Sequence, residues 1–481
     1  MSPQTGQADK LAAKTARDIE ADIARRGWVV GESLGSEQAL QQRFRVSRSV
    51  LREAVRLVEH HRVARMRRGP GGGLLICEPD AGPATRAVVI YLEYLGTTLP
   101  DLLTARLVLE PLAASLAADR IDEAGIARLR AVLSAEQRWR PGAPAPRDEF
   151  HIALAEQSHN PVLQLFIDIL MRLTTRYALQ SRAESPSAAI EAVDHMHQHH
   201  AEVVAAVTAG DAARARTLTE RHVEAVTAWL QRHGSRARAT RPTRRPPPDV
   251  PRGKLAETLA ATIGDDIAAG GWQIGSVFGS ETALLDRYQV SRAVFREAVR
   301  LLEYHSIAQM RRGPRGGLVV TQPRAQASIE TIALYLQYRN PSREDLRCVR
   351  DAIEIDDVAK VVKRRAEPEV RAFLAAHRAA DRAVSERTGG DVRQGAVEEF
   401  RFHVGLAQLA GNALLDLFLR IIVELFRRHW TSTGQALPTW ADVVAVDHAH
   451  LRILDAIEAG DDSLARYRVR RHLDAAASWW L

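Results

Sequence analysis

Apolar positions at the start of the chain predict three short helices. Between residues 10 and 26 they recur at roughly helical spacing, and the run ends at a glycine; these positions are Leu11, Ile19 and Ile23. Ser36 and Ser47 stand where helix N-caps are expected, each before a short amphipathic run. A tight turn through Arg45 and Val46 separates the two runs. The pattern therefore predicts one helix followed by two helices that a turn connects.

The third predicted helix has an apolar side and a basic side. In SRSVLREAVRLVEH the residues expected in the core are Val50, Leu51, Ala54, Val55 and Val58. The opposite side carries Arg48, Ser49, Arg52 and Arg56. The next segment, VARMRRGPGGGLLI, predicts two short strands around a glycine-rich turn. A helix that combines arginines with small residues can approach bases in the major groove of DNA, and arginines of the hairpin can reach phosphates or the minor groove.

An internal repeat organises the chain. The segment GSEQALQQRFRVSRSVLREAVRLVEHHRVARMRRGPGGGLLI, which begins at Gly35, recurs as GSETALLDRYQVSRAVFREAVRLLEYHSIAQMRRGPRGGLVV from Gly279, at an offset of 279 − 35 = 244. A second pair of similar segments contains Gly210 and Gly460, at an offset of 460 − 210 = 250. Residues 232–253 are rich in proline and arginine and lack apolar periodicity, which predicts an extended linker. After each predicted hairpin the sequence is rich in Ala and Leu, without strand alternation, which predicts a helical domain in each half.

Charge and composition narrow the class of partner. The chain has 66 Lys and Arg against 59 Asp and Glu, a net charge of +7, and arginine suits contacts with phosphates and guanine edges. A coding bias toward arginine would give the same balance, so charge alone does not decide. The two cysteines lie far apart, which excludes a disulfide framework. Without a long apolar stretch or a signal peptide, we expect a cytoplasmic protein with no membrane partner.

The repeated segment resembles the winged helix-turn-helix of the GntR family, whose hallmark is similar to LPSE…VSR..VREA. Here the chain reads LGSEQAL…VSRSVLREAV and again FGSETAL…VSRAVFREAV. Taken together with the basic helix face and the hairpin, the resemblance implies DNA contacts in the first copy by Ser47, Arg48, Ser49, Arg52, Arg67, Arg68, Gly71 and Gly72. In the second copy the corresponding residues are Ser291, Arg292, Arg296, Arg311, Arg312 and Gly316. Gln38 and Thr282 replace an arginine that often follows the SE pair, so we expect that contact to be absent or weaker.

The helical part of each half resembles the FCD ligand-binding domain of the FadR subfamily. The resemblance rests on Arg106 and Glu110, which align with Arg350 and Glu354, on FHIALAEQSHN and FHVGLAQLAGN, and on the H…AGD…H ending of each half. In that family an Asp and a His one helical turn apart, with two later histidines, often hold a divalent metal whose coordination a carboxylate effector completes. Imidazole ligands suit Zn or Ni. The resemblance thus implies such a metal in the second helical domain and leaves the first domain open.

The histidines implied as metal ligands align between the halves. They are His151, His200 and His222 in the first set and His403, His450 and His472 in the second, and the last two of each set are 22 residues apart. Glu399 precedes His403 by four residues. The matching position before His151 is Arg147, so the first half has either lost its metal or uses Asp148. Three neighbours of His200 are expected to lie mostly in solvent, with ligation as the alternative: His195, His197 and His199.

Two arginines have two open interpretations. In that family the helices that correspond to those of Arg106 and Arg350 face the effector cavity, so each arginine could bind an effector carboxylate. The alternative is an i, i+4 salt bridge with Glu110 or Glu354.

The sequence predicts a mainly α protein with two winged helix-turn-helix domains, each of three helices plus a β-hairpin wing and each followed by an all-α FCD-like bundle. The boundaries are 8–79 and 254–323 for the DNA-binding domains, 84–231 and 327–481 for the helical domains, and 232–253 for the linker. We expect a transcriptional regulator that responds to a small organic acid and binds a pseudo-palindromic operator in double-stranded DNA as an intramolecular pseudo-dimer. Further homodimerisation stays open. The alternatives are an architectural DNA-binding protein that needs no effector and a metal-dependent hydrolase, although no nucleophile or general-base motif supports catalysis.

Overall fold

The computed structural model describes residues 3–67, 69, 72–139, 149–178, 186–233, 252–311, 313, 316–385, 392–433 and 439–480. The first half contains α1 (Pro3–Arg25), α2 (Glu37–Phe44), α3 (Arg48–His60), β1 (Ala64–Arg67), β2 (Gly73–Ile76), α4 (Ala81–Tyr94), α5 (Leu99–Arg120), α6 (Glu123–Arg138), α7 (Glu149–Gln157), α8 (Pro161–Ala178), α9 (Pro186–Thr208) and α10 (Ala212–His233). The second half contains α11 (Arg252–Ala269), β3 (Val277–Gly279), α12 (Glu281–Tyr288), α13 (Arg292–Tyr304), β4 (Ala308–Arg311), β5 (Gly317–Val320), α14 (Ala325–Arg339), α15 (Arg343–Lys363), α16 (Pro368–Ser385), α17 (Val392–Ala410), α18 (Ala413–Thr433), α19 (Trp440–Ala459) and α20 (Asp462–Trp480).

The N-cap serines and the tight turn of the first half are where the sequence places them. Ser36 Oγ accepts a hydrogen bond from the Ala39 amide at the start of α2, and Ser47 Oγ accepts one from the Val50 amide at the start of α3. Arg45 ends α2 in the left-handed conformation with φ of 54°. The equivalent caps and turn recur around α12 and α13. We call α1 to β2 the first module and α11 to β5 the second module.

Leu11 is 44% exposed, because the buried face of α1 runs through positions 12, 16, 19 and 23, and residue 11 lies about 100° away from it. Two details of the sequence prediction were wrong. Val50 is only half-buried, since it lies in the first turn of α3 at the edge of the apolar face. Both ends of the predicted linker, 232–253, are helical: α10 continues to His233 and α11 begins at Arg252.

Each module ends in an antiparallel hairpin. In the first, β1 pairs with β2 from Ala64 opposite Ile76 to Arg67 opposite Gly73. The hairpin depends on a glycine at the start of β2, because Gly73 has φ of 148° and a Cβ there would lie 2.6 Å from the backbone oxygen of Gly35. In the second module β3 adds a third strand that the sequence did not predict, in the order β3-β5-β4.

The chain divides into two compact units, one formed from residues 1–91 and 240–340 and the other from residues 92–239 and 341–481. In the first unit each module packs against the helix that follows the other module, α14 for the first module and α4 for the second. Leu334 of α14 is part of the core of the first module, and the ring of Tyr338 packs on Trp28 at 5.5 Å. Ile90 of α4 is part of the core of the second module. Each module therefore completes its core with a helix from the other half of the chain.

The second unit contains two helical bundles, α5–α10 and α15–α20, which meet through reciprocal contacts. Asn160 Nδ2 donates to the backbone oxygen of Asp345 at 3.0 Å, and Asn412 Nδ2 donates to that of Asp101 at 2.9 Å. The rings of Phe166 and Phe418, at equivalent positions in the repeat, stack at 4.0 Å. Such an exchange of equivalent contacts is the pattern of a twofold interface between two like subunits, here within one chain.

None of the helices in the described part of the chain is both long and apolar enough to cross a membrane.

Candidate functional site

The four predicted ligands of the second bundle come together in a buried pocket. Glu399 and His403 lie one turn apart on α17, His450 lies on α19 and His472 on α20, and one ligand atom from each lies within 4.8 Å of the others. Glu399 Oε1 lies 3.2 Å from Nε2 of both His403 and His472, and its Oε2 lies 2.9 Å from His450 Nε2. Three imidazole nitrogens and one carboxylate thus converge on a single point.

The charges of this pocket stabilise a carboxylate beside imidazoles. Burial raises the pKa of Glu399, but its interactions with the three histidines outweigh that effect and hold its pKa well below the ordinary value. Burial lowers the pKa of His403, but Glu354 and Glu399 outweigh it and raise the pKa to about 10. Burial dominates at His450 and lowers its pKa to about 4. His403 therefore carries a proton in the metal-free pocket at neutral pH.

A carboxylate behind the ligands orients His403. Glu354, on α15, contacts Nδ1 of His403, so that the Nε2 atom faces Glu399 and His472. Such a partner on the far ring nitrogen fixes the orientation and tautomer of a metal-ligating histidine. Arg350 lies one turn before Glu354, and its Nε atom is 3.7 Å from Oε1 of that residue. Its Nη2 atom is 3.2 Å from Oδ1 of Asp351.

We expect metal binding to this pocket to release about one proton per ion near pH 7. The pKa of His403 is raised from 6.5 to about 10, so its stabilising ion pairs are fully present below pH 6.5 and are lost as the pH rises through about 10. A metal ion must displace this proton. Calorimetric titration of the metal-free protein in buffers of different ionisation enthalpy measures the proton count. A binding heat that is the same in all buffers would contradict this charge assignment.

The first bundle brings its three predicted histidines together as well. His151 on α7, His200 on α9 and His222 on α10 are buried and offer ligand atoms within 4.8 Å of one another. Glu110 lies 2.9 Å from His151 Nδ1, and Arg106 donates to Glu110. Arg106 is 1% exposed, so its charge is compensated inside the bundle. Observed pairings in both bundles thus favour the salt-bridge alternative for the two arginines.

One functional residue of the first pocket was missed by the sequence analysis. Glu136 of α6 lies 2.9 Å from His200 Nδ1 and 3.3 Å from His197 Nδ1. Burial raises the pKa of Glu136. No motif surrounds Glu136, and only the packing of α6 on α9 brings it to the histidines. The prediction of solvent exposure was therefore wrong in part: His197 is half-buried against this carboxylate and His199 is half-buried too, whereas His195 is exposed as expected.

The donor sets fit a divalent metal. Burial lowers the pKa of His200 and His222 well below the ordinary value, so both imidazoles are neutral and have a free lone pair for an ion. The second pocket adds a charged carboxylate to three imidazoles, a combination that suits Zn or Ni. Asp148, the carboxylate predicted for the first pocket, lies outside the described residues.

The predicted DNA-contacting residues at the start of α3 are exposed. The side chains of Arg48 and Arg52 are 64% and 56% exposed, and their Nε atoms lie 3.1 and 2.8 Å from Oε1 of Glu37. Ser47 and Ser49 are exposed at the start of α3. Glu37, the acidic residue of the SE pair, was not assigned a role from sequence, and its carboxylate pairs with both arginines.

The second module presents the same helix face. Ser291, Arg292 and Arg296 are exposed at the start of α13, and Glu281 Oε1 lies 3.7 Å from Arg296 Nε. In the hairpins, Arg67 and Arg311 are exposed on the first strand, and Gly72 and Gly316 are half-buried just before the second strand. The remaining hairpin predictions, Arg68, Gly71 and Arg312, lie outside the described residues.

Sequence comparisons match both parts of the molecule. The family profile described as "FCD domain" matches residues 101–225 and 345–475, and that described as "Bacterial regulatory proteins, gntR family" matches residues 11–73. The chain is 30% identical over 199 residues to the HTH-type transcriptional regulator LutR of Bacillus subtilis, which covers 40% of this chain and 89% of the relative. It is 27% identical over 220 residues to the Uxu operon regulator of Haemophilus influenzae, a match that covers 43% of this chain and 77% of the relative. It is 29% identical over 247 residues to the putative L-lactate dehydrogenase operon regulatory protein of Escherichia coli, a match that covers 49% of this chain and 93% of the relative. All three relatives are named as regulators rather than enzymes, which confirms the prediction that this chain is not an enzyme.

Proposed function

Because the chain belongs to the GntR family of bacterial regulatory proteins and contains the FCD domain twice, it is a DNA-binding transcriptional regulator that responds to a small-molecule effector, and we propose that its two halves act as a pseudo-dimer on one operator. In this proposal the second module is a winged helix-turn-helix like the first, and the chain is a tandem duplication of the FadR type. Family members usually act as homodimers on palindromes. Fusion of two copies would supply both DNA readers in one chain.

The observation that carries this proposal is the repetition of the DNA-facing elements. The second module has the same helix order, the same serine caps before α12 and α13, and arginines at the equivalent positions of the exposed helix. The two modules belong to one compact unit, and each core includes a residue of the helix that follows the other module, Leu334 in the first core and Ile90 in the second. Two readers held in this way can address two half-sites of inverted sequence.

For the sensing function, we propose that both bundle pockets hold a divalent ion, Zn or Ni, and bind a small organic acid. His151, His200 and His222 would hold the ion of the first pocket, and Glu399, His403, His450 and His472 that of the second. The ion would supply open positions to carboxylate oxygens of the effector. Three glutamates orient one histidine each by contacting its Nδ1 atom: Glu110 contacts His151, Glu136 contacts His200 and Glu354 contacts His403. Arg106 then acts through Glu110, and Arg350 through Glu354, instead of binding the effector.

Selection of bound duplexes from a random DNA pool with the full chain, followed by band-shift titration, tests the pseudo-dimer proposal. We expect the selected sequences to contain two similar half-sites in inverted orientation, because the exposed helices SRSVLREAV and SRAVFREAV are nearly identical. A duplex with one half-site should bind more weakly by roughly 100-fold or more, because tethering two binding modules gains about 10²–10⁴ in affinity. Full affinity for a single isolated half-site would count against two cooperating readers.

A further inference from the structure

The two modules differ in charge at equivalent exposed positions of their predicted DNA-facing elements. At the turn between the two short helices, Arg45 of the first module corresponds to Gln289 of the second. One turn earlier, Gln42 corresponds to Asp286, which is exposed. On the exposed side of the first hairpin strand, Arg65 corresponds to Gln309. Each exchange makes the second module less positive by one charge.

The turn residues differ in charge, and the side chain of Gln289 is also hydrogen-bonded to its own helix. Arg45 and Gln289 both have left-handed backbones, with φ of 54° and 51°. Gln289 Nε2 donates to the backbone oxygen of Asp286 at 2.7 Å and lies 3.4 Å from its carboxylate. The side chain of Gln289 is thus tied back to its own helix. The exposed Arg45 instead presents a cation beside the N-terminus of α3.

The strand residues flank the predicted wing. Arg65 and Arg67 project from the same exposed side of β1, where they form a pair of cations. In β4 the pair is Gln309 and Arg311, so one cation is missing. The wing turn compensates in part, because GPRGG contains an arginine, Arg315, that GPGGG lacks. At the four positions compared, three charges lost and one gained leave the predicted DNA-facing elements of the second module two charges less positive than those of the first.

We propose that the two readers bind the DNA backbone unequally, with the first module making more phosphate contacts and the second module fewer. This inference rests on the proposed function of the second module. Each arginine that neutralises a phosphate releases counterions and steepens the salt dependence of binding. Asp286 acts in the opposite direction, since a carboxylate near the backbone is repelled. The operator then has a strong half-site, bound by the first module, and a weak half-site, bound by the second.

The salt dependence of operator binding by the full chain tests this inference. The double variant Arg45→Gln and Arg65→Gln should make the negative slope of log K against log salt shallower by about 1.8, since each phosphate contact contributes about −0.9. The matched variant Gln289→Arg and Gln309→Arg should make the slope steeper by about the same amount. The control Arg128→Gln and Arg216→Gln removes two exposed arginines of the first bundle, so it has the same net charge as the first variant and should leave the slope unchanged.

Single-helix variants separate this inference from the function on which it rests. Arg52→Ala should weaken binding by a larger factor than Arg296→Ala, because the remaining module is then the weaker one. Equal losses, with both half-sites still protected, would overturn the unequal contacts and leave the pseudo-dimer intact. If Arg296→Ala has no effect on affinity, and the double variant Gln289→Arg and Gln309→Arg leaves the salt dependence unchanged, the second module does not contact DNA. The unequal contacts and the pseudo-dimer are then both excluded.

Discussion

Replacing Arg52 and Arg296 together with alanine should abolish specific operator binding, whereas either single replacement should only weaken it. A good arginine contact to a base is worth about 1–3 kcal/mol, or roughly 5-fold to 150-fold in affinity. In a single variant the tethered second reader keeps the altered one close to its half-site, which limits the loss. In the double variant neither reader retains its contact. Band-shift titration at fixed salt measures the losses.

Both arginines are exposed, at 56% and 68% of their side chains, so their removal should not affect folding. Circular dichroism and thermal unfolding of each variant check this point. A matched control is Arg128→Ala, an exposed arginine of the first bundle that should leave affinity unchanged. A double variant that binds the operator as tightly as the wild type would exclude base contacts by these two residues.

The purified protein should contain about two divalent ions per chain, and one should be lost when either pocket is disrupted. His403→Ala removes a ligand at the centre of the second pocket and leaves Glu399 buried with two histidines, so that pocket should lose its ion. His151→Ala should have the same effect on the first pocket. Metal analysis by mass spectrometry of each variant beside the wild type measures the stoichiometry.

The controls are histidines outside the pockets, His195→Ala on α9 and His448→Ala on α19, which are both exposed and should leave the metal content unchanged. An ion lost only with His403→Ala would show that the first pocket does not hold a metal. A wild type without metal would contradict the proposed sensing chemistry in both bundles.

The repeat in the sequence explains why much of the site could be predicted. Each histidine of one pocket had a counterpart at nearly the same offset, so His403, His450 and His472 were identified together with His151, His200 and His222. The serine caps were predictable because a cap acts within three residues of its own position. Local and repeated signals were therefore sufficient for the helices around the pockets and for most ligands.

Contacts between distant segments could not be predicted in this way. Glu136 reaches His200 across 64 residues, and nothing near Glu136 in sequence distinguishes it from a surface glutamate. The packing of Leu334 and Ile90 into the core of the other module is equally invisible, since an apolar residue on a helix gives no sign of which core it joins. Asn160, noted from sequence only as part of a motif, caps α8 and donates to Asp345 of the other bundle. Tertiary packing decides each of these roles.

The number of chains bound to one operator tests the central claim most directly. Native mass spectrometry of the full chain with a duplex that contains both half-sites, combined with footprinting of the same complex, gives the stoichiometry and the protected bases. We predict one chain per duplex, with both half-sites protected. Two chains per duplex, each protecting one half-site, would contradict the account, because each chain would then use only one of its two modules.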